Sequence, residues 1–519
     1  MKIQHKSRRA VPPVSYILFV MHLGCHSNPL FFQPTQVAEL IQKLMSTTNE
    51  HLAHVLSEID VWTWARSDLN AWIKVLNRFD SILEDIIRAY DIDNLQNNSL
   101  NPADKAIVME ILRVERLLLE NSTNRKMFCS YDVRLCIFSP FQVFTVYLLQ
   151  RINSLLSVDG LDILVLALKL MLRPAQQYSA QPSVTQALSI PTGRLLSLSK
   201  RWPHLREYGV DLVDLTTPAG NAEVDQLPSE AREVNFSFYR TDQSAKETKE
   251  AAPAAELSSE ASPSKAPATS TSTAGAIMVH IDETTLQSKP MMQVFAETVH
   301  THSVPETEKF ELLSRIRAAY ALAKGNKDDR ENLVTARLLS IAVYGHTHPE
   351  NQAGSSLFLF EPDMIPHMAE LLHVDKGISV HVQTAAIAAL DALARYRGKI
   401  QEVLTAVNAG VNHGVLMALL RKTVGDIANP SSTTPQTFVE ALLTFVTFIA
   451  SHASGGNMVV GAGLIPLLIQ LLENRLPHRL HVLSKAMQLV DNVLYSFTNA
   501  FNLFCTSRGV ETLVERISV

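Results

Sequence analysis

The chain has 519 residues, which is longer than one compact hydrophobic core usually serves, so several domains or a stacked repeat array are expected. Hydrophobic residues make up 46% of the sequence and aromatic residues only 7%, a balance that favours aliphatic helix packing over an aromatic-rich β-sandwich. The net charge of −5 provides no broad cationic surface for a phosphate backbone. Nucleic acid is therefore excluded as the main ligand, and a protein partner is favoured.

The cysteines indicate the cellular compartment. They are too few for a disulfide framework and lack the spacing of a zinc site, so we interpret them as reduced, buried thiols of a cytoplasmic or nuclear protein: Cys25, Cys129, Cys136 and Cys505. A basic N-terminus followed by the apolar stretch 14–25 superficially resembles a signal peptide. That stretch is too short and too interrupted by histidine to span a bilayer, so no membrane association is predicted.

Three helices are predicted in the first third of the chain. Apolar residues recur at helical spacing from Leu69 to Ile87. Asn101 followed by Pro102 is typical of an N-cap and a first helical position, and predicts a second helix. A third apolar run, 161–172, is predicted to end at Pro174 because proline cannot donate a backbone hydrogen bond.

One region carries a strand pattern. The segments 234–239 and 277–281 alternate apolar and polar residues with a period of two, which indicates two β-strands. Between them, 241–275 is rich in Ala, Ser, Thr, Pro, Lys and Glu and contains no aromatic residue, which predicts disorder. The sequence therefore predicts a long β-hairpin with a disordered tip.

The C-terminal part contains a repeated pattern. A turn followed by an apolar helix recurs every 45 to 50 residues or so, a period close to that of armadillo and HEAT repeats, near Met364, Gly410, Gly463 and Gly509. Each such unit buries its apolar stripe only against its neighbours, so stacked units form a curved solenoid with an extended surface.

The sequence signals for catalytic and metal sites are weak. We interpret the histidines as ordinary surface or loop residues because none has metal-ligand spacing: His346, His348, His367, His373 and His381. Gly461 and Gly463 lack the third glycine of a dinucleotide loop and indicate a corner between repeats. Asp328 and Asp329 are assigned to a polar connection. No catalytic residue, metal ligand or cofactor site is predicted.

Trp62, Trp64 and Trp72 form the densest aromatic group. Trp72 lies on the apolar face of its helix, so it is expected in the core. Trp64 is the better candidate for a partly exposed protein-binding residue, because exposed tryptophan is enriched in interfaces.

Several sequence segments resemble a known family, the N-terminal region of the giant HECT-type ubiquitin ligases of the fungal Tom, plant UPL and animal HUWE group. The segments that carry the resemblance are 62–83, 172–178, 206–209, 236–239 and 315–456. Fungal members are the most similar, and the resemblance covers most of 33–518. It implies an armadillo-like scaffold that helps to recruit substrates, with the catalytic HECT cysteine far downstream and unmatched here.

Compared with the family pattern, 14–33 and 133–150 resemble inserts between matching blocks. Both begin with Val and end with Gln, whose codons can resemble splice donor and acceptor sites. The chain also stops at Val519 within a family helix. We hypothesise a truncated gene product with two retained introns, which transcript reads across both junctions would test.

We therefore predict an all-α, armadillo/HEAT-like helical solenoid with a small β-hairpin insertion and a disordered loop. The domains are 1–36 (irregular), 37–215 (helical repeats), 216–300 (β-hairpin) and 301–519 (armadillo-like repeats). The predicted function is the non-catalytic, substrate-recruiting scaffold of a HECT-type ubiquitin ligase, inactive in ubiquitin transfer by itself. Its expected partners are protein substrates and the rest of the ligase solenoid. The alternative is a free-standing armadillo/HEAT adaptor unrelated to ubiquitin.

Overall fold

A computed structural model describes residues 34–59, 69–89, 100–121, 155–156, 160–178, 188, 232–239, 276–324, 326–347, 358, 363–396, 398–476 and 479–517. These residues form nineteen α-helices, two 3₁₀ helices and one two-stranded sheet. The predicted all-α solenoid with a small β-hairpin is confirmed.

Five helices build the N-terminal part: α1 (Pro34–Ser46), α2 (Asn49–Ser57), α3 (Ile73–Ala89), α4 (Pro102–Asn121) and α5 (Leu161–Tyr178). A 3₁₀ turn, Leu69–Trp72, leads into α3, and Trp72 is fully buried as predicted. Asn101 caps α4, since its side-chain oxygen accepts a hydrogen bond from the Ala103 N–H at 3.2 Å. Helix α2 packs on α4, and α4 packs on α5.

Helix α5 corrects one prediction. It does not end at Pro174 but continues through it to Tyr178. Proline removes the hydrogen bond to the Leu170 carbonyl and disfavours a helix interior. Met171 and Ala175 are nevertheless fully buried, and packing along α9 offsets the lost bond. Tertiary contacts therefore override the local stop signal.

A hairpin and three helices form a separate small core: β1 (Val234–Tyr239), β2 (Ala276–Ile281), α6 (Glu283–Ser288), α7 (Met291–His302) and α8 (Glu306–Ala323). The strands pair antiparallel, with Val234 opposite Ile281 and Tyr239 opposite Ala276. Phe236, Phe238 and Val279 are buried, so one face of the hairpin covers the helices. The predicted strands and their pairing are confirmed.

Eleven further helices complete the described chain: α9 (Lys327–Thr347), α10 (Met364–Glu370), α11 (Val380–Ala394), α12 (Ile400–Ala406), α13 (Val415–Ala428), α14 (Gln436–Ala450), α15 (Ala453–Gly461), α16 (Leu464–Leu472), α17 (Leu480–Ser496), α18 (Thr498–Thr506) and α19 (Gly509–Ile517). A 3₁₀ turn, Val374–Lys376, precedes α11. The helices α5, α9, α11, α14 and α17 pack against one another in that order and form a ladder. We call these five helices the ladder helices.

The shorter helices α10, α13, α16 and α19 begin at Met364, Val415, Leu464 and Gly509, which matches the predicted repeat spacing. Between α15 and α16, Gly463 has a φ of 101°, a conformation that glycine adopts without strain. The interpretation of this glycine as a corner between repeats is confirmed.

Asp328 and Asp329 do not lie in a polar connection, as predicted, but in the first turn of α9. Acidic residues at this position favour the helix because its N-terminus carries a partial positive charge.

Several predictions fall on residues that lie outside the described ranges. They concern the two inserts 14–33 and 133–150, the loop 241–275, and Val519. The division into domains likewise stays a prediction.

Among the described residues, no single helix is long and apolar enough to cross a membrane. Helices α14 and α15 meet the length and composition criteria only when taken together, and they are bent by 116° relative to each other.

Candidate protein-binding surfaces

Within the described ranges, no group of three or more His, Cys, Asp or Glu side chains is placed to hold a metal ion. Cys505, in α18, is a free thiol that is half-buried, less buried than predicted. The other three cysteines lie outside the described ranges.

One predicted surface histidine is in the interior. His346 lies in α9 with its side chain only 6% exposed, and its Nε2 is 3.7 Å from Oδ2 of Asp391 in α11. Burial and the nearby Arg395 charge lower the pKa of His346 to about 3, so the imidazole is neutral. The expectation of a surface residue was wrong because α9 is enclosed by neighbouring helices. His367 and His373 are half-buried and His381 is exposed, while His348 lies outside the described ranges.

Asp391 connects three ladder helices. Arg395 donates to both of its carboxylate oxygens, with the Nη2 hydrogen bonds at 3.0 Å, and its guanidinium stacks 4.1 Å from the Phe448 ring centroid in α14. Burial raises the pKa of Asp391, and Arg395 counteracts that shift. The cluster therefore joins α9, α11 and α14.

The C-terminal helices expose large apolar side chains. Helices α17, α18 and α19 pack in succession, and Leu480 is exposed at the start of α17. We call the other exposed large apolar residues of these helices the C-terminal apolar patch: Tyr495, Phe501, Leu503, Val510 and Val514. Tyr495 is 92% exposed. Exposed apolar side chains on neighbouring elements are typical of an interaction surface.

A cationic group borders this patch. Arg475 and Arg508 both approach the Glu515 carboxylate, at 3.8 and 4.0 Å, and all three side chains are largely exposed. Burial, together with the like charge of nearby Arg475, lowers the pKa of Arg516. Arg475 and Arg508 thus share the Glu515 carboxylate, which leaves a net positive rim.

The outer face of the β-hairpin is a second exposed surface. Asn235 and His280 sit opposite each other, and Asn235 Oδ1 lies 2.8 Å from His280 Nδ1. Met278 is 69% exposed on the same face. The outer face therefore combines polar residues with Met278 and Ala276.

Trp64, the predicted binding residue, lies outside the described ranges, so its role stays a prediction. Sequence reasoning missed both surfaces described above. Val510 and Val514 were assigned to a buried repeat helix, because helical spacing alone does not reveal whether a neighbour covers the apolar side. The alternation in β2 did predict that Met278 and His280 share a face, but not that the face is exposed.

Comparison with known proteins identifies the family. Residues 149–425, more than half of the chain, match the family described as a Domain of Unknown Function (DUF908). The chain belongs to the DUF908 family. That match begins just before α5 and ends within α13, so it includes the hairpin and the middle of the ladder.

Similar proteins carry the name E3 ubiquitin-protein ligase. The chain is 26% identical over 494 residues to ptr1 of Schizosaccharomyces pombe, covering 93% of this chain and 14% of that protein. It is 24% identical to UPL1 of Arabidopsis thaliana, covering 94% of this chain and 12% of that protein. Mouse HUWE1 is 21% identical, with 85% of this chain and 9% of that protein covered. The predicted resemblance to the Tom, UPL and HUWE group is confirmed.

The chain thus spans about one-seventh or less of the length of these relatives. Among solved structures, an engineered protein covers 88% of the chain at 14% identity, with a TM-score of 0.24. That score is too low to establish a shared fold.

Proposed function

We propose that this chain is a non-catalytic scaffold segment of a HECT-type ubiquitin ligase, which recruits proteins for ubiquitination. The observation that carries the proposal is the similarity to E3 ubiquitin-protein ligases over 93 to 94% of the chain, in their non-catalytic N-terminal region. The fold supports it, because a helical ladder presents a long surface to protein partners.

The C-terminal apolar patch supports a second part of the proposal. Helix α19 begins a new unit of the repeat pattern, and each earlier short helix, α10, α13 and α16, is followed by a ladder helix. We place a further helical repeat of a larger array against Val510 and Val514, with acidic residues facing Arg475 and Arg508. The site of action in this proposal is the cytoplasm or nucleus.

The main test is an in-frame deletion of residues 34–517 in the organism that encodes the protein. Quantitative mass spectrometry of ubiquitin-modified peptides should show reduced modification of a defined set of proteins. An unchanged ubiquitin profile, combined with loss of protein partners, would instead favour the free-standing adaptor.

A second test addresses catalysis. Purified chain incubated with ubiquitin, activating enzyme and conjugating enzyme is expected to form no thioester. A reducible ubiquitin adduct that disappears on changing Cys505 or another cysteine to Ala would overturn the non-catalytic assignment.

A further inference from the structure

The two backbone edges of the β-hairpin are not equivalent. At the β1 edge, Nη1 of Arg315 in α8 donates a hydrogen bond of 2.6 Å to the Asn235 carbonyl oxygen. The same guanidinium lies 5.3 Å from the Phe236 ring centroid. A charged side chain therefore occupies the β1 edge.

This hydrogen bond also defines the pairing pattern. Because the Asn235 carbonyl faces Arg315, it points away from β2, and Asn235 and His280 form a non-hydrogen-bonded pair. Their side-chain contact at 2.8 Å agrees, since side chains approach more closely at such pairs. Pairs alternate along the strands, so Ser237 and Met278 are of the same type. The N–H and C=O groups of Met278 and His280 consequently point outward from β2.

Nothing within the described part of the chain hydrogen-bonds to these outward groups of β2. The strand sequence Ala-Ile-Met-Val-His-Ile contains no proline and no Lys, Arg, Asp or Glu, the residues that natural proteins place on edges to prevent pairing. An exposed apolar edge without such protection is a template for a further strand.

Helix α7 provides an apolar surface beside this edge. It packs against β2, and Met291, Met292 and Val299 of α7 are only half-buried, as is Ile277 of β2. A strand added next to β2 would place every second side chain toward these residues and the others toward solvent. The edge therefore offers both main-chain hydrogen bonds and a row of apolar contacts.

We propose that the free edge of β2 binds an extended segment of a partner protein by β-strand addition, with apolar residues at alternate positions of that segment. Main-chain pairing supplies affinity and the α7 surface selects the apolar positions. The six residues of β2 set the length of the segment that pairs. This proposal rests on the proposed scaffold function, and it names the class of partner segment that the scaffold binds.

The test uses two proline variants of the full 519-residue chain. Met278→Pro removes an outward N–H of β2, which a strand edge tolerates because no ladder hydrogen bond is lost. Ser237→Pro is the matched control, since it changes the residue opposite Met278 on the other edge. Far-ultraviolet circular dichroism and thermal unfolding verify that both variants fold.

The probes are octapeptides selected from a random phage-displayed library on the wild-type chain. Fluorescence anisotropy of the synthesised peptides should show similar affinity for wild type and Ser237→Pro. Their affinity for Met278→Pro should be weaker than for wild type by about tenfold or more. N-methylation of alternate peptide amides should abolish binding. Failure to select such peptides, or equal binding by the two proline variants, would overturn the proposal.

Hydrogen exchange on the wild-type chain gives a readout that does not depend on the variants. A selected peptide should slow exchange at the Met278 and His280 amides and leave Ser237 unchanged. Unchanged exchange at both amides would contradict strand addition. Self-association of the free chain that Met278→Pro abolishes would also overturn the proposal, because the β2 edge would then bind a second copy of this chain and not a partner protein. A normal ubiquitin profile in cells that carry Met278→Pro would overturn strand addition but not the scaffold function. The deletion of residues 34–517 tests the scaffold function separately.

Discussion

The middle and the C-terminal end of the helical ladder differ in how completely they are enclosed. In α9, every residue from 333 to 347 is buried, and in α11 so is every residue from 385 to 394. Helix α17, by contrast, exposes Leu480, Ser484, Gln488 and Tyr495. Helices α9 and α11 are enclosed by neighbours on every side, and the buried part of α9 includes polar residues such as Arg337 and Ser340. Helix α17 is amphipathic, so neighbours cover only its apolar side.

The enclosed middle of the ladder therefore contributes more to stability, and the C-terminal end offers exposed surface for binding. The middle of the ladder contains the buried side chains of His346 and Asp391, with the partly exposed Arg395 bound to Asp391. The end carries the C-terminal apolar patch and exposed ion pairs.

The largest difference is expected for removal of a leucine side chain. Leu390 in α11 is fully buried, so Leu390→Ala should lower the free energy of unfolding by about 4 kcal/mol, because the cavity cannot fully collapse. Leu480→Ala, at a position 46% exposed, should cost below about 1 kcal/mol. Urea unfolding followed by circular dichroism measures both. Equal losses would show that the end is as tightly packed as the middle.

Breaking an ion pair should give the next largest difference. Arg395→Met leaves the buried Asp391 carboxylate without its bidentate partner and should cost about 3 kcal/mol. Arg475→Met breaks an exposed pair with Glu515 and should cost below about 1 kcal/mol.

Adding Asp391→Asn to Arg395→Met should restore part of the lost stability, because no charge then remains buried. No recovery in urea unfolding would mean that Arg395 acts through its contact with Phe448 rather than through the carboxylate.

The third prediction concerns pH. The pKa of His346 is about 3 in the folded chain and near 6.5 when unfolded, so the unfolded state takes up the proton first as the pH falls. The stability due to neutral His346 is complete above pH 6.5 and is lost progressively toward pH 3. Between pH 7 and pH 5, wild type should lose about 2 kcal/mol relative to His346→Gln.

The comparison with a variant is essential, because Glu115 acts in the opposite sense. Burial and the Asp80 charge raise the pKa of Glu115 to about 8, so its contribution is complete below pH 4.5 and is lost as the pH rises through 8. Asp391, with a raised pKa, opposes His346 as well. The exposed His413→Gln is the matched control and should retain the wild-type profile. If the free energy of unfolding of wild type and of His346→Gln varied with pH in parallel, the lowered pKa of His346 would be refuted.

The smallest effect on stability is expected at the C-terminal apolar patch. The double change Phe501→Ser and Val514→Ser should alter the free energy of unfolding by below about 1 kcal/mol, since both side chains are exposed. It should reduce concentration-dependent self-association, measured by sedimentation velocity, because less apolar surface reaches solvent. A large loss of stability would show that the patch is part of the core.

Some features of the fold can be predicted from the sequence, and others cannot. The Asn101 cap, the two strands and the spacing of α10, α13, α16 and α19 were predictable because each depends on residues close together in the chain. The continuation of α5 through Pro174 and the burial of His346 were not, because both depend on helices distant in sequence that pack against them. The candidate surfaces escaped prediction for the same reason, since exposure is decided by neighbours.

The sequence by itself determined that the chain is helical, that it is built from repeats, and that a short hairpin interrupts it. These properties follow from hydrophobic periodicity and turn residues, which act over a few positions of the chain. Only the tertiary structure decided that α9 and α11 are sealed while α17 to α19 remain open. Tertiary packing also brings Arg315 to the β1 edge of the hairpin, 80 residues away from it in sequence. Within the described ranges, no residue hydrogen-bonds to the outward groups of β2.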